Sequence, residues 1–194
     1  MEGQQNSFRS GYINSVTALF DSAKRMARDS DKRTEYNRRN YKGQLLDKIN
    51  REEGQLKRRN LAIICEQLNG LRDRELELLA RRKEDELLHP CKDILENLES
   101  LRDIITEEEL QIYADDNKDS EMVQRRIVSI AKDRKMFVNT YPGHEKKAQA
   151  VKEIASAYSS FVMSGNFGME PAIYEERSLH AYDDILEPVE GGGR

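Results

Sequence analysis

The sequence has no tryptophan, only two cysteines, four prolines and three histidines, and aromatic residues make up 7% of its 194 positions. Each scarcity excludes something. Cys65 and Cys91 both fall in helix-patterned segments, and two cysteines do not make the disulfide framework of a small secreted domain. Few prolines leave little to interrupt a long helix. No run approaches the ~20 apolar residues of a membrane span, and no apolar stretch of a secretory leader stands near Met1. A soluble, reducing compartment is expected, with no membrane contact. Apolar residues are also short, at 37% against about 45–50% in an average globular chain. A compact core of ordinary size is therefore not expected.

What the chain has in excess is charge, at 35% of residues. The net charge of −4 hides an asymmetry. Residues 1–60 carry 14 Lys/Arg against 8 Asp/Glu, residues 61–120 carry 8 against 17, and residues 121–194 carry 10 against 11. A basic first third beside an acidic middle suits charge-complementary assembly, or a different partner at each end.

Periodicity predicts helix almost throughout. Tyr12, Val16, Leu19, Phe20, Ala23, Met26 and Ala27 recur at helical spacing, with Asn14 or Ser15 as the expected N-cap. The charged stretch Asp29–Asn40 can continue that helix. A second helix is expected from about Lys42 to Leu88. Its apolar stripe is Leu45, Ile49, Leu56, Ile64, Leu68, Leu71 and Leu79, widened by Leu61, Leu76 and Leu78 and interrupted by Glu53, Asn60 and Glu75. The mean step is near 3.6–3.7 residues, which predicts a nearly straight helix rather than a long left-handed coiled coil. His89-Pro90 ends it, because proline lacks an amide donor yet suits the first turn of a new helix. Cys91, Ile94, Leu98, Leu101 and Ile105 follow at helical spacing.

Thr106-Glu107-Glu108-Glu109 is a capping box. It predicts a short helix over Glu107–Ala114, a loop over Asp115–Asp119 and a further helix over Ser120–Val138. Tyr141-Pro142-Gly143 reads as a turn, Glu145–Met163 as the last helix, and Gly165 as its C-terminal stop. The expected fold is all-α: long helices forming an elongated bundle or coiled-coil-like scaffold. The expected organisation is an N-terminal segment and first helix over 1–41, a helical domain over 42–165 and an irregular tail over 166–194.

No motif carries chemistry. Glu86-x-x-His89 has the spacing of half a di-iron carboxylate site, which needs a second such pair and two more glutamates; His144 and His180 stand in no such pattern. His89 and Cys91 fall short of the four ligands of a structural zinc site. The cysteines sit on apolar helix faces without an adjacent activating base, as packed thiols do. There is no phosphate-binding loop, dinucleotide fingerprint or nucleophile elbow. The sequence thus points away from an enzyme and to no catalytic residue, cofactor or metal.

Two charged segments suggest binding instead. Residues 32–42 interleave Arg38 and Arg39 with Tyr36 and Tyr41, and Arg58 and Arg59 follow on the next helix. Arginine holds phosphates while tyrosine stacks on bases. Glu84, Asp85, Glu86, Glu107, Glu108 and Asp116 form the acidic counterpart, able to imitate a phosphate track before a basic groove. Leu68 and Leu71 are the apolar candidates for a partner helix.

Thr106–Met136 (TEEELQIYADDNKDSEMVQRRIVSIAKDRKM) resembles a helix–loop–helix segment of uncharacterised proteins of bacteriophages and prophages that infect Gram-positive bacteria. The shared pattern is a Thr-initiated acidic helix, a polar Asn/Lys loop and an Arg- and Ala-containing helix ending in Lys or Arg. The similarity covers about 30 residues, and the proline that often follows the threonine is missing here. It implies a phage or mobile-element origin, often beside structural genes, and transfers no active-site residue. Together these readings lead to a non-catalytic helical protein of phage type acting by protein–protein association, self-association first, with a role in virion assembly and a place in the host cytoplasm or the virion. Two alternatives follow from the charge: an inhibitor of a host defence nuclease that acts as an acidic nucleic-acid mimic, and a nucleic-acid-binding accessory protein.

Overall fold

The computed structural model describes residues 11–165, 167 and 187–189. The polar start, the Gly191-Gly192-Gly193-Arg194 end, His180 and most of the predicted irregular tail lie outside the described residues. Helix dominates: α1 (Tyr12–Asn40), α2 (Gly43–Leu88), α3 (Lys92–Leu101), α4 (Glu107–Asp116), α5 (Glu121–Arg134) and α6 (His144–Ser164). The one departure from all-α architecture among the described residues is a three-residue pairing. Strand β1 (Val138–Thr140) runs antiparallel to β2 (Glu187–Val189), with Val138 opposite Val189.

By internal packing the chain divides into two compact units. The first takes α1, α2 as far as Glu75 and α6 from Lys152; the second takes the rest of α2 with α3, α4, α5, both strands and α6 as far as Val151. In the first unit α1 and α2 run antiparallel. Asp31 meets Lys57 Nζ at 2.7 Å, and the Glu53 carboxylate accepts from Ser30 Oγ at 2.7 Å and from Arg33 Nε at 3.0 Å. Phe20 of α1 stands edge-on to Tyr158 of α6, ring centres 5.4 Å apart. Val16, Phe20, Ala23, Ile64, Leu68, Ala155 and Val162 are buried. In the second unit the core is Leu98, Ile105, Leu110, Ala114, Val123, Ile127, Ile130, Ala131 and Val138.

Local signals set most boundaries. Thr106 Oγ1 accepts from the Glu109 amide at 3.3 Å while Glu109 Oε2 accepts from the Thr106 amide at 2.8 Å, the reciprocal box that starts α4. These bonds hold the Glu109 carboxyl below its ordinary value. Thr106→Ala removes one half of the box, and a loss of about 0.5–2 kcal/mol is expected in chemical denaturation. An unchanged unfolding midpoint would overturn that role. Gly165 ends α6 with φ +68°, as expected.

Three boundaries differ from the sequence reading. Helix α1 starts at Tyr12 behind Gly11, not at an Asn14 or Ser15 cap, and Ser15 Oγ instead donates back to the Gly11 carbonyl at 2.6 Å. The segment Asp115–Asp119 is not wholly loop, since α4 runs through Asp116. Helix α5 stops at Arg134 rather than Val138, because Lys135 turns left-handed at φ 56° and Met136 N donates to the Ala131 carbonyl at 2.8 Å. The freed segment becomes β1, where Gln111 clasps Asn139 by accepting from its amide at 2.8 Å and donating to its carbonyl at 3.2 Å. The predicted single stripe of α2 is also divided. Ile64, Leu68 and Leu79 are buried, but Leu45 and Leu56 are exposed.

Candidate interaction surface

Three arrangements are candidates for function, and their geometry separates them. The first is a polar node in the second unit. Glu86, near the end of α2, accepts at Oε1 from Ser120 Oγ at 2.6 Å and from the Met122 amide at 2.8 Å, both at the start of α5. Its Oε2 lies 3.0 Å from Nε2 of His144, the first residue of α6. A carboxylate at a helix N-terminus meets free amides and the positive end of the dipole. Burial acts to raise the Glu86 carboxyl, but the bonds from Ser120, Met122 and His144 outweigh it and leave it below the ordinary value. Facing Oε2, the ring nitrogen of a neutral His144 carries the proton; its buried Nδ1 then has no hydrogen-bond partner. Gly143 keeps the approach open, since a Cβ there would stand 2.8 Å from the Glu121 carboxyl carbon, and Glu121 Oε2 accepts from the His144 amide at 2.8 Å. The Ser120 hydroxyl is committed to the carboxylate, not to the imidazole, so the set does not activate a nucleophile. It ties α2, α5 and α6 together.

The second arrangement is the seam between α1 and α2. Glu53, an apparent fault in the apolar stripe, is the acceptor of that seam, and Arg33 and Ser30 hold its carboxyl below the ordinary value against the effect of burial. Towards the other end of the same pair an open groove of about 620 Å³ is lined by Ala18, Leu19, Ile63, Gly70, Leu71 and Arg74.

The third is the outer face of α2. At about 100° per residue, Leu45, Glu52, Leu56, Ile63, Gly70 and Arg74 fall within about 20° of one line along the part of α2 in the first unit. The buried Leu61, Ile64 and Leu68 lie roughly 100–160° around from it. This part of α2 therefore has a buried apolar face and an outer face on which apolar and charged residues mix. The first is consumed by its own chain; on the second, Leu45 is 54%, Leu56 44% and Ile63 46% exposed. Single exposed leucines are ordinary, but three exposed apolar side chains along one helix line make this face a candidate interaction surface.

The residues singled out in the sequence are sorted by this geometry. Leu68 is fully buried inside the first unit, and Leu71 is half-buried in the groove. Glu86 turns inward to the node, while Glu84 and Asp85 on α2 and Glu107, Glu108 and Asp116 on α4 are exposed. Glu107 accepts from the Phe137 amide at 2.9 Å. Tyr36, Arg38 and Arg39 are exposed near the end of α1 with Tyr41 half-buried behind them, and Arg39 is paired with Glu35. Arg58 and Arg59 are exposed on α2. Because Lys57 stands level with Asp31, that pair lies about ten residues, roughly 15 Å, along the seam from Arg38 and Arg39. The basic residues thus form two separate patches. Cys65 is half-buried with its thiol 3.7 Å from the Ser159 carbonyl, and burial raises its pKa; Cys91 is exposed. Among the described residues no group of three or more His, Cys, Asp or Glu side chains is placed to hold a metal ion, and no helix is long and apolar enough to cross a membrane.

Sequence reasoning did not foresee His144 as the partner of Glu86, nor the buried Gln124. The Gln124 side chain donates to the carbonyls of Ala114 at 2.8 Å and Asn117 at 3.0 Å and accepts from the Tyr141 amide at 3.1 Å. The signal for the outer face of α2 was in the sequence: the stripe slews around the helix from Leu45 to Leu79 instead of holding one angle.

Comparison with protein-family models, curated proteins and solved structures finds no match to this chain.

Proposed function

We propose that this protein acts by association rather than catalysis: a self-associating helical protein of phage type, working in virion assembly. The observation that carries the reading is the outer face of α2, where Leu45, Leu56 and Ile63 are exposed along one line, on a helix 46 residues long. A low apolar content fits such a protein, because part of what there is serves a partner rather than the core. The phage setting and the assembly role rest on the resemblance of Thr106–Met136 and on the divided charge.

The test is light scattering at tens of micromolar. The wild-type mass should be a multiple of 22.5 kDa. Leu56→Glu combined with Ile63→Glu should return it to a single chain with unchanged circular dichroism, since both side chains already meet water. A wild-type protein that stays monomeric at 100 micromolar, a concentration at which a standard-sized interface of μM affinity is occupied, would overturn self-association. Affinity capture with and without nuclease treatment reads the alternatives: recovery of a nuclease lost on changing Glu84, Asp85, Glu107 and Glu108 would favour the acidic mimic, and recovered nucleic acid lost on changing Arg38, Arg39, Arg58 and Arg59 would favour nucleic-acid binding.

A further inference from the structure

We propose that the outer face of α2 within the first unit is occupied by the same face of a second copy, running antiparallel about a two-fold axis at Ile63. This rests on the self-association reading and goes beyond it by fixing the orientation, the register and the side chains that meet.

The outer line is symmetric in position and complementary in chemistry. Leu56 and Gly70 stand seven residues before and after Ile63, and Glu52 and Arg74 stand eleven before and after it. All five belong to the first unit, and Leu45 lies beyond their span. A two-fold axis between antiparallel helices sets each residue opposite the one equally far on the other side of the centre. Ile63 then meets its own copy, each Leu56 meets a Gly70, and each Glu52 meets an Arg74. Gly70 is a hole for the partner's Leu56. Open space surrounds the place of its missing Cβ, and the groove there has Ala18, Leu19 and Leu71 among its walls. The leucine that is half in water in the single chain thus gains an apolar site.

The charges are available for the same register. Glu52, Arg59, Glu66 and Arg74 are exposed, and none of the four has an ion-pair partner among the described residues. Arg59, four residues before Ile63, and Glu66, three after it, lie on one flank, roughly 40–60° from the line. The two-fold keeps like flanks together, so Arg59 comes within one residue of the level of the partner's Glu66. Each match occurs twice. A parallel copy in register would instead set Glu52 against Glu52 and Arg74 against Arg74. An antiparallel copy slid so that Leu56 meets Ile63 would centre the axis beside Arg59 and bring its two copies together. Exposed ion pairs contribute little affinity, but at a helix seam they choose orientation and register by making the alternatives repulsive. One group opposes the pairing: Asp73 stands on the flank near the partner's Glu52, although Arg72 of its own chain holds it at 2.8 Å. The apolar contact is small, and association in the micromolar range is expected rather than a permanent dimer.

Disulfide trapping tests orientation and register together. In a background of Cys65→Ala and Cys91→Ser, Glu52→Cys and Arg74→Cys are made separately, one of them carrying a mass tag. Under mild oxidation the mixture should give the cross-linked heterodimer. Neither variant alone should cross-link, because the two copies of either residue stand twice eleven positions, roughly 33 Å, apart along the seam. Cross-linking of either variant with itself would mean a parallel or shifted seam and overturn the proposal. Absence of cross-links from a background protein whose mass is still that of a dimer would place the contact elsewhere, overturning the register while leaving self-association intact. A monomeric background protein beside a dimeric wild type would put the contact at the cysteines and equally overturn it, whereas a monomeric wild type would remove the underlying reading itself. Two readouts involve no cysteine. Gly70→Phe fills the site of the partner's Leu56 and should weaken the dimer roughly 10-fold or more with unchanged circular dichroism; an undiminished dimer would overturn the register. Glu52→Arg should weaken the dimer roughly 10-fold, as two favourable pairs become two repulsive ones. Adding Arg74→Glu should restore it, and failure of the double variant to recover would overturn the pairing.

Discussion

Leu68→Asp should unfold the first compact unit, with loss of helical circular dichroism, whereas Leu71→Asp, three residues on, should leave the fold standing. Leu68 is fully buried, and an aspartate there deletes the packing of a core leucine and brings a carboxylate into a site without a partner. Truncating a buried leucine costs about 2–5 kcal/mol by itself. A polar group buried without a hydrogen bond adds roughly 1–3 kcal/mol more, even with the carboxyl protonated. The sum is comparable with the about 5–15 kcal/mol that holds an ordinary domain together. Leu71 lines an open groove and is only half-buried; an aspartate there keeps its charge in water, and a loss of about 1 kcal/mol or less is expected. Equal loss of structure in the two variants would mean that Leu71 is as much core as Leu68. The pair also guards the association test. Dissociation caused by a charge at Leu68 says nothing of an interface, because the chain that would associate is no longer folded; the same charge at Leu56 is free of that objection.

The helices were legible because their causes are local. Periodicity marked α2 from about Lys42 to Leu88 and the structure begins it at Gly43; Thr106 and Glu109 announced α4 by themselves; His89-Pro90 ended α2 where it ends. What the sequence did not show was set by neighbours distant in the chain. Glu53 stood out only as an interruption, and its meaning lies 20 and 23 positions away in Arg33 and Ser30. Glu86 has His89 one turn away at helical spacing. In the fold its partner is His144, 58 positions on, because the ends of α2, α5 and α6 meet there. The end of α5 was overrun because Lys135 takes a left-handed conformation that more often falls to glycine or asparagine. The stripe of α2 keeps one mean step while its angle drifts around the helix. Leu45 and Leu68 lie roughly 140° apart on the helix, so one mean step fitted residues with opposite fates. The charged candidates fared as local features do. Their exposure was predictable, but their grouping was not, and the fold sets Arg38 and Arg39 apart from Arg58 and Arg59.

Glu86→Ala is expected to be the most damaging single change at a polar residue, lowering stability by roughly 2–4 kcal/mol, more than the Thr106 cap contributes. The carboxylate accepts from three groups at once, Ser120 Oγ, the Met122 amide and the His144 ring, and its side chain is 12% exposed, with that of His144 at 9%. Removing it leaves three inward-facing polar groups for which water has little room. A loss of that size lowers Tm by roughly 5–15 °C in a chain of this length. Glu86→Gln separates shape from charge. Its amide oxygen keeps Ser120 and Met122, but its NH2 group faces His144 Nε2, which must then accept, moving the ring proton to the Nδ1 that has no partner. About 1–2 kcal/mol should be lost, and imidazole nitrogen shifts should report the changed tautomer. Acidity provides the third readout. The Glu86 carboxyl sits below its ordinary value in the folded chain, so its contribution is fully present above the value of an unfolded glutamate, near 4.3, and disappears as pH falls through the lower folded value. Denaturation curves below about pH 4.5 should therefore converge for wild type and Glu86→Gln, after standing apart at neutral pH. A gap that stays constant down to pH 2 would mean that the Glu86 charge adds nothing to the fold and that the node acts through its shape alone.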